Sequence, residues 1–229
     1  MAAGLVQGLT GFGSGIILMI FLPALMPVAQ AAGVSTMTMF IPTVLLTWRY
    51  RKALHIKPII VPFLIYSIVA TLAVPLGKQL DTVLLKRMLG GLLIAISLYF
   101  SLRKTKHQRP YPWPVNGCFM VISGFFNGLF GIGGPLMALY FLMRSRSKEE
   151  YLASIQFFFF MDGIYVSSLR FGQHILSLPD LGFAGMGLIG ALIGTAAASR
   201  IVTHLNTQRV SQIVYAFIGV SGLYYCLFA

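Results

Sequence analysis

The chain has 229 residues, of which 57% are hydrophobic and only 10% are charged. Soluble domains contain about 45–50% apolar and about 25% charged residues. The composition therefore excludes a soluble globular domain, a disordered chain, a coiled coil and a nucleic-acid-binding domain. The 17 basic residues outnumber the 5 acidic ones and give a net charge of +12. Because the cations lie between apolar segments, we interpret them as determinants of membrane topology and as contacts to anionic lipid.

Eight hydrophobic segments follow one another along the chain. A helix needs about 20 apolar residues to cross the hydrocarbon core of a bilayer. The segments cover approximately residues 1–27, 29–48, 58–77, 83–102, 115–143, 151–170, 179–199 and 210–228. A basic, proline-bearing stretch separates them into two groups of four. We therefore predict a first membrane repeat over residues 1–102, a basic linker over 103–114 and a second membrane repeat over 115–229.

The two halves of the chain are similar to each other. Residues 4–15 align with residues 124–135 at an offset of 120, and four glycines coincide in this alignment. Gln7 falls on Asn127, which has the same amide chemistry. Towards the end of each half the offset becomes 122, so the similarity extends over the whole chain. Internal duplication of this kind is typical of secondary transporters.

Each copy of the duplicated motif is rich in glycine, which destabilises a helix by about 1 kcal/mol relative to alanine. The glycines could allow close helix packing of the GxxxG type, because Gly4 and Gly8 have that spacing. They could instead mark a helix break that lines a polar cavity. The tight spacing of Gly11, Gly13 and Gly15 and the presence of Pro135 in the second copy favour the break.

A helix that begins at such a break directs free N–H groups and the positive end of its dipole into the cavity, where an anion can bind. Hydroxyl and amide side chains near both motifs would add neutral donors. We expect the anion to be bound by Gln7, Thr10, Gly11, Gly13, Ser14, Gly15, Thr36, Asn127, Gly131, Gly133, Gly134 and Gln156. For Thr36 and Gln156, hydrogen bonding between helices is the alternative.

Asp162 lies near the centre of segment 151–170, where an acidic residue costs about 2.5–3.5 kcal/mol. It could couple anion movement to a proton, because a protonated carboxylic acid would admit an anion while limiting the net charge that moves. It could also form a structural hydrogen bond to broken backbone, or pair with Arg170. The corresponding residue of the first half is Pro42, so the acid is not duplicated.

The sequence contains no pattern typical of an enzyme, a metal site or a cofactor site. No nucleophile–base pair, P-loop or HExxH motif is present, and we therefore expect neither catalysis nor a cofactor. His55 and His174 form no metal-ligand set. Cys118 and Cys226 lie inside apolar runs and match no metal or redox spacing, which indicates packing residues.

The distribution of cations distinguishes two topologies. If all eight segments cross the membrane, the cations divide 9 to 8 between its two sides, which gives no orientation. If segments 1–27 and 115–143 are re-entrant hairpins, the division is 13 to 4, which fits the positive-inside rule. Each half then crosses three times, and the halves are inverted. We therefore predict an all-α polytopic membrane protein of two inverted repeats, each of about four hydrophobic segments, the first broken or re-entrant at its glycine-rich motif.

The paired motifs at residues 7–15 and 127–135 resemble the signature of the sulfite exporter TauE/SafE family, also called the toluene sulfonate uptake permease family. The resemblance implies an integral protein of the bacterial inner membrane. It also implies transport of small sulfur-containing anions such as sulfite, sulfonates or sulfoacetate. Two positions depart from the family pattern: Ser14 stands where the first copy often has a glycine, and Pro135 enters the second copy.

We expect a secondary transporter that works by alternating access. Its partners would be a small anionic substrate and the lipid bilayer, and no nucleic acid. An anion channel and a non-transporting membrane assembly subunit are the alternatives. The sequence leaves open which anion moves, in which direction and with which coupling ion, and whether the chain forms a homo-oligomer.

Overall fold

A computed structural model describes residues 3, 4, 7, 12–102, 111–201 and 207–228. Every regular element among these residues is helical, which confirms the predicted all-helical class for this part of the chain. From residue 12 onwards the α-helices are α1 (Ser14–Phe21), α2 (Val28–Tyr50), α3 (Lys57–Gln79), α4 (Thr82–Leu102), α5 (Trp113–Phe130), α6 (Gly134–Arg144), α7 (Lys148–Gly172), α8 (Asp180–Ile201) and α9 (Thr207–Phe228). Short 3₁₀ turns follow α1 and α2.

Four helical stretches of the described chain are long and apolar enough to cross a membrane. They are Val28–Ala53, Lys57–Gln79, Thr82–Leu102 and Lys148–Gly172. Large apolar side chains are exposed on their outer faces, for example Leu64, Ile68 and Leu72 on α3. Such a surface would be unstable in water, but it suits a bilayer, in which the hydrocarbon is as apolar as leucine.

The predicted segment 115–143 is two helices and not one. α5 ends at Phe130 and α6 begins at Gly134. Between them Gly131 has φ 65°, a left-handed conformation that glycine adopts without a steric penalty. The N–H of Gly131 donates to the carbonyl of Asn127 at 2.8 Å and closes the last turn of α5.

Helices at corresponding positions of the two halves pack against each other in opposite directions. Near the start of α2, Thr36 contacts Arg170 near the end of α7, and Phe40 of α2 stacks on Phe160 of α7. α4 and α9 also run antiparallel. Gly90 of α4 packs against Gly222 of α9, and the Ser97 hydroxyl donates to the Tyr215 carbonyl at 2.7 Å.

α3 runs parallel to α5 and to α7, which are not at the corresponding position of the second half. These directions define the path of α5 and α6. α3 and α7 are parallel, because Phe63 contacts Phe158 and Lys78 contacts the carbonyl of Gln173. α3 and α5 are parallel as well, and they lie close together through Gly124 and Gly128. The starts of α3, α5 and α7 therefore share one side of the bundle. Since α6 ends only a few residues before α7 begins, it returns to that same side.

The two largest apolar clusters among the described residues each join several helices. One joins α1, α2, α4 and α9, with residues such as Met19, Leu89 and Ile218. The other joins α3, α5, α6 and α7, with residues such as Met137 and Phe158. Residues next to the second glycine motif belong to both clusters: Phe130 and Ile132 to the first, and Met137 to the second.

Candidate functional site

The two glycine motifs place two helix starts at corresponding residues. α1 begins at Ser14 and α6 begins at Gly134, which are 120 positions apart. Gly13, directly before α1, has φ 93°, which an L side chain rarely adopts. The free N–H groups of a helix start have no partner within the helix, so they are available to a ligand. In α6 one of these donors is missing because Pro135 occupies the first turn.

The motifs from the two halves lie in contact with each other. A Cβ atom built on Gly15 would lie 3.0 Å from the carbonyl oxygen of Gly131. One built on Gly134 would lie 3.3 Å from the Cβ of Phe12. One built on Gly133 would collide with the hydroxyl group of Tyr66. Glycine is therefore required here for close approach, and also for backbone conformation at Gly13 and Gly131.

A cavity of about 80 Å³ lies between the motifs. A water molecule takes up about 30 Å³ in the liquid, so the cavity is large enough for a small ion. The volume of the cavity is far below the roughly 300 Å³ of a pocket that binds a drug-sized molecule. Its lining brings together most of the predicted site residues, namely Gln7, Gly13, Ser14, Gly15, Thr36, Asn127, Gly131, Gly133, Gly134 and Asp162. Thr10 and Gly11 lie outside the described residues.

On one side of the cavity the polar contacts involve neutral groups. Gln7 is 2% exposed, and its Nε2 donates to the hydroxyl of Thr43 at 3.2 Å and to Oε1 of Gln156 at 3.4 Å. Gln156, fully buried on α7, is not among the lining residues. It is connected to the site by the hydrogen bond that it accepts from Gln7. Thr43 was not among the predicted residues, although it lies in the same apolar segment as Thr36.

On the other side the corresponding amide contacts a carboxylate. Nδ2 of Asn127 donates to both oxygens of Asp162, at 3.0 and 3.2 Å. Asp162 is 5% exposed and lines the cavity. Among the lining residues that the structure describes, it is the only one with an ionisable side chain. The motif of the second half is thus linked directly to the intramembrane acid.

Arg170 adds a buried cation that contacts the same residue, Asn127. It is 1% exposed, and its guanidinium donates to the carbonyls of Asn127 and Gly128 at 3.0 and 3.1 Å. It also donates to the hydroxyl of Thr36 at 3.2 Å. In the sequence, Arg170 is predicted only as one alternative partner of Asp162. A signal was present in the sequence, because an acid inside a membrane segment usually requires a cation nearby.

Comparison with known families identifies the chain. The profile of the family described as Sulfite exporter TauE/SafE matches residues 1–225. The chain therefore belongs to the sulfite exporter TauE/SafE family, and the resemblance inferred from the two motifs is confirmed. Comparisons with curated proteins and with solved structures gave no match. Family membership and the apolar helices together make this an integral membrane protein of a transporter family.

Proposed function

We propose that this protein is a secondary transporter that moves small sulfur oxyanions by alternating access, with sulfite as the best-fitting substrate. The observation that carries the proposal is that helix starts from both halves of the chain line one shared cavity. The anion would bind there, between Gly13–Gly15 and Gly131–Gly134. Membership of the sulfite exporter TauE/SafE family supports the substrate class.

The binding groups are numerous and individually weak. The N–H groups at the start of α1 and the hydroxyl of Ser14, which lines the cavity, are the donors that the first half would supply. A helix start contributes up to about 2 kcal/mol to binding of an anion in a partly buried site. Rotation of the Gln7 amide by 180° would add its NH₂ group where the unpartnered Oε1 now lies. A site of this kind binds an anion and can also release it, as transport requires.

The size of the cavity favours a compact inorganic anion. At about 80 Å³ it accommodates sulfite in the described conformation, whereas an aromatic sulfonate would need several times that space. Phe12 and Phe159 line the cavity and would have to move before a larger substrate could enter. We therefore expect sulfite to compete better than toluene sulfonate for the site.

Asp162 is the proposed site of proton coupling. Its carboxylate lines the cavity, so in its ionised form it repels an anion there. Protonation removes this repulsion and converts one of the two oxygens that accept from Asn127 into a hydroxyl group, so the NH₂ group of Asn127 can then turn to the substrate. Anion and proton would move together, which limits the net charge carried across the membrane.

Helix directions support the inverted, re-entrant topology. Antiparallel packing of α2 with α7 and of α4 with α9 is expected if the halves are inverted repeats. The return of α6 to the side on which α5 begins is expected for a re-entrant hairpin. This path fits the topology whose sequence count assigns 13 cations to one side, which by the positive-inside rule would be the cytoplasm, here of a bacterial inner membrane.

Cysteine labelling in intact cells tests this topology. Single cysteines at Trp113, Ser145 and Thr82, introduced after replacement of Cys118 and Cys226 by serine, report the start of α5, the end of α6 and the start of α4. We expect Trp113→Cys and Ser145→Cys to be labelled from the cytoplasmic side and Thr82→Cys from outside. Labelling of the first two from opposite sides would show that α5 and α6 cross the membrane together.

Counterflow in proteoliposomes tests the transport mechanism. Vesicles loaded with unlabelled sulfite should accumulate labelled sulfite transiently against its gradient, because a carrier exchanges the two through one site. A channel would give simple equilibration without overshoot. A non-transporting assembly subunit would give no uptake above that of empty vesicles.

A further inference from the structure

We propose that Arg170 is a resident cation of the anion site: its guanidinium compensates the carbonyl end of α5 and thereby makes the cavity able to receive an anion. This inference rests on the proposed function and assigns a positioning role to a residue that does not line the cavity. It concerns electrostatics within the second half of the site, where an arginine, a carboxylate and a helix end meet.

The end of α5 is, by itself, unfavourable for an anion. The last carbonyls of a helix have no partner within it, and they carry about half a negative charge. α5 ends at the cavity, where Asn127 and Gly131 are lining residues. The same cavity contains the carboxylate of Asp162. Without compensation, two negative groups would oppose the helix starts that are proposed to bind the substrate.

Arg170 covers this end of the helix. It donates to the carbonyls of Asn127 and Gly128, which belong to the last turn of α5, and to the Thr36 hydroxyl of α2. The Asn127 carbonyl accepts from both Arg170 and the N–H of Gly131. The guanidinium therefore connects the last turn of α5, in the second half, to Thr36 of the first half.

Carbonyl ends of broken helices, together with hydroxyl groups, bind Na⁺ in many secondary transporters. In this protein oxygen atoms of the same kind, two carbonyls and one hydroxyl, accept hydrogen bonds from the guanidinium of Arg170, which is part of α7. A cation held in this way cannot leave with the substrate. We infer that Arg170 supplies the charge that a bound Na⁺ would otherwise supply, so that a second, mobile cation is not required at this point.

The charges of Arg170 and Asp162 also fix which state accepts the anion. When the carboxylate is ionised, its negative charge offsets the positive charge of Arg170. With Asp162 protonated, the positive charge of Arg170 is left in excess beside the cavity, and an anion is attracted. The position that corresponds to Arg170 in the first half is Tyr50, so this device exists only once in the chain.

Equilibrium binding of sulfite to detergent-purified protein, measured by titration calorimetry, tests this inference. We expect Arg170→Ala to weaken sulfite binding by about tenfold or more, since removal of one partner from a buried charged network has effects of at least this size. Arg170→Gln, which keeps hydrogen-bonding capacity without the charge, should lose nearly as much, and Arg170→Lys should retain most of the affinity. Arg49→Ala, at the exposed end of the corresponding helix α2, is the matched control and should bind normally.

Chemical rescue separates the charge from a merely structural role. Millimolar guanidinium should restore sulfite binding to Arg170→Ala, whereas urea, which is neutral and of similar shape, should not. Equal effects of guanidinium and urea, or wild-type affinity in Arg170→Gln, would overturn the inference. If Arg170→Ala does not fold, the comparison of Arg170→Gln with Arg170→Lys decides the question.

The same titration distinguishes this inference from the proposed function. Sulfite binding by the wild-type protein without counterflow in vesicles would contradict transport and leave the role of Arg170 to be decided by its variants. Absence of sulfite binding by the wild-type protein would overturn both. Normal transport by the wild-type protein, together with unchanged sulfite affinity in Arg170→Gln, would overturn the role of Arg170 alone.

Discussion

The two sides of the cavity share one backbone plan and differ in their side-chain chemistry. In the first half Gln7 contacts the neutral groups of Thr43 and Gln156. In the second half the corresponding amide, Asn127, contacts the carboxylate of Asp162. The duplication has therefore kept the helix starts and the glycine positions, while the charged groups belong to one copy only.

This difference between the two sides fits two separate proposed roles, anion binding and proton coupling. In the proposed mechanism, backbone groups from both copies would bind the anion in either orientation, because the two copies correspond in sequence. A proton, by contrast, needs one acidic site, and a second acid would add a second desolvation cost of about 2.5–3.5 kcal/mol. We therefore expect backbone changes to have similar effects in both halves, and side-chain changes to have unequal effects.

The largest effect is expected from removal of the one acid. Asp162→Asn should abolish sulfite accumulation driven by an imposed proton gradient, because the amide cannot exchange a proton, while sulfite counterflow should persist. Uptake in proteoliposomes with and without a pH gradient measures both. Glu149→Gln, at the exposed start of the same helix, is the control and should remain proton-driven. Proton-driven accumulation by Asp162→Asn would contradict the coupling role.

The next effect compares the two corresponding amides. Asn127→Leu should lower sulfite counterflow by about tenfold or more, because the buried carboxylate of Asp162 loses both hydrogen bonds from its amide partner. Gln7→Leu should lower it by about threefold, because only neutral partners are lost. Initial rates normalised to the amount of reconstituted protein provide the comparison. Equal losses in the two variants would remove the proposed asymmetry.

Backbone substitutions should affect both halves alike. Gly131→Ala and Gly13→Ala force an L side chain into a left-handed conformation, which costs about 1–2 kcal/mol. Gly117→Ala on α5 is the control, because nothing lies within 4 Å of its added Cβ, and alanine favours the helix by about 1 kcal/mol. Thermal unfolding in detergent should show lower midpoints for both motif variants and an unchanged or higher midpoint for the control. A shift in only one motif variant would show that the two backbone breaks are not equivalent.

The smallest effect is expected from the hydroxyl that accepts from Gln7. Thr43→Val removes one neutral hydrogen bond between helices, which is worth about 0.6 kcal/mol on average in membrane proteins. Sulfite affinity should therefore change by about threefold or less in a titration. A loss as large as that of Asn127→Leu would mean that the neutral side of the cavity contributes as much to binding as the charged side.

Local features of the sequence were sufficient to predict the helix starts at the two motifs. Gly13 and Gly131 interrupt the helices through their own backbone conformation, and a proline such as Pro135 is favoured at the first turn of a helix. These are properties of a few adjacent residues, so they can be recognised without a fold. The offset of 120 then predicts that Ser14 and Gly134 occupy equivalent places.

The contacts of Arg170 could not be predicted in this way. Its acceptors on α5 and α2 lie 43 and 134 positions away in the sequence, and the nearby acid Asp162 indicates a charge partner but not these acceptors. The same holds for Thr43, which is identified as a site residue by its place in the cavity wall and by its contact with Gln7, 36 positions earlier. Pairings of this kind depend on which helices pack together.

The amino-acid sequence by itself determined the membrane class, the duplication, the family and the places where the helices break, because apolar length and glycine and proline chemistry act over short distances. Only the tertiary structure decided that the two breaks meet at one cavity, that Asn127 is bound to Asp162 and that Arg170 covers the end of α5. The physical reason is that a buried charge is stable only where several helices bring partners to it, and the sequence does not state which helices are neighbours.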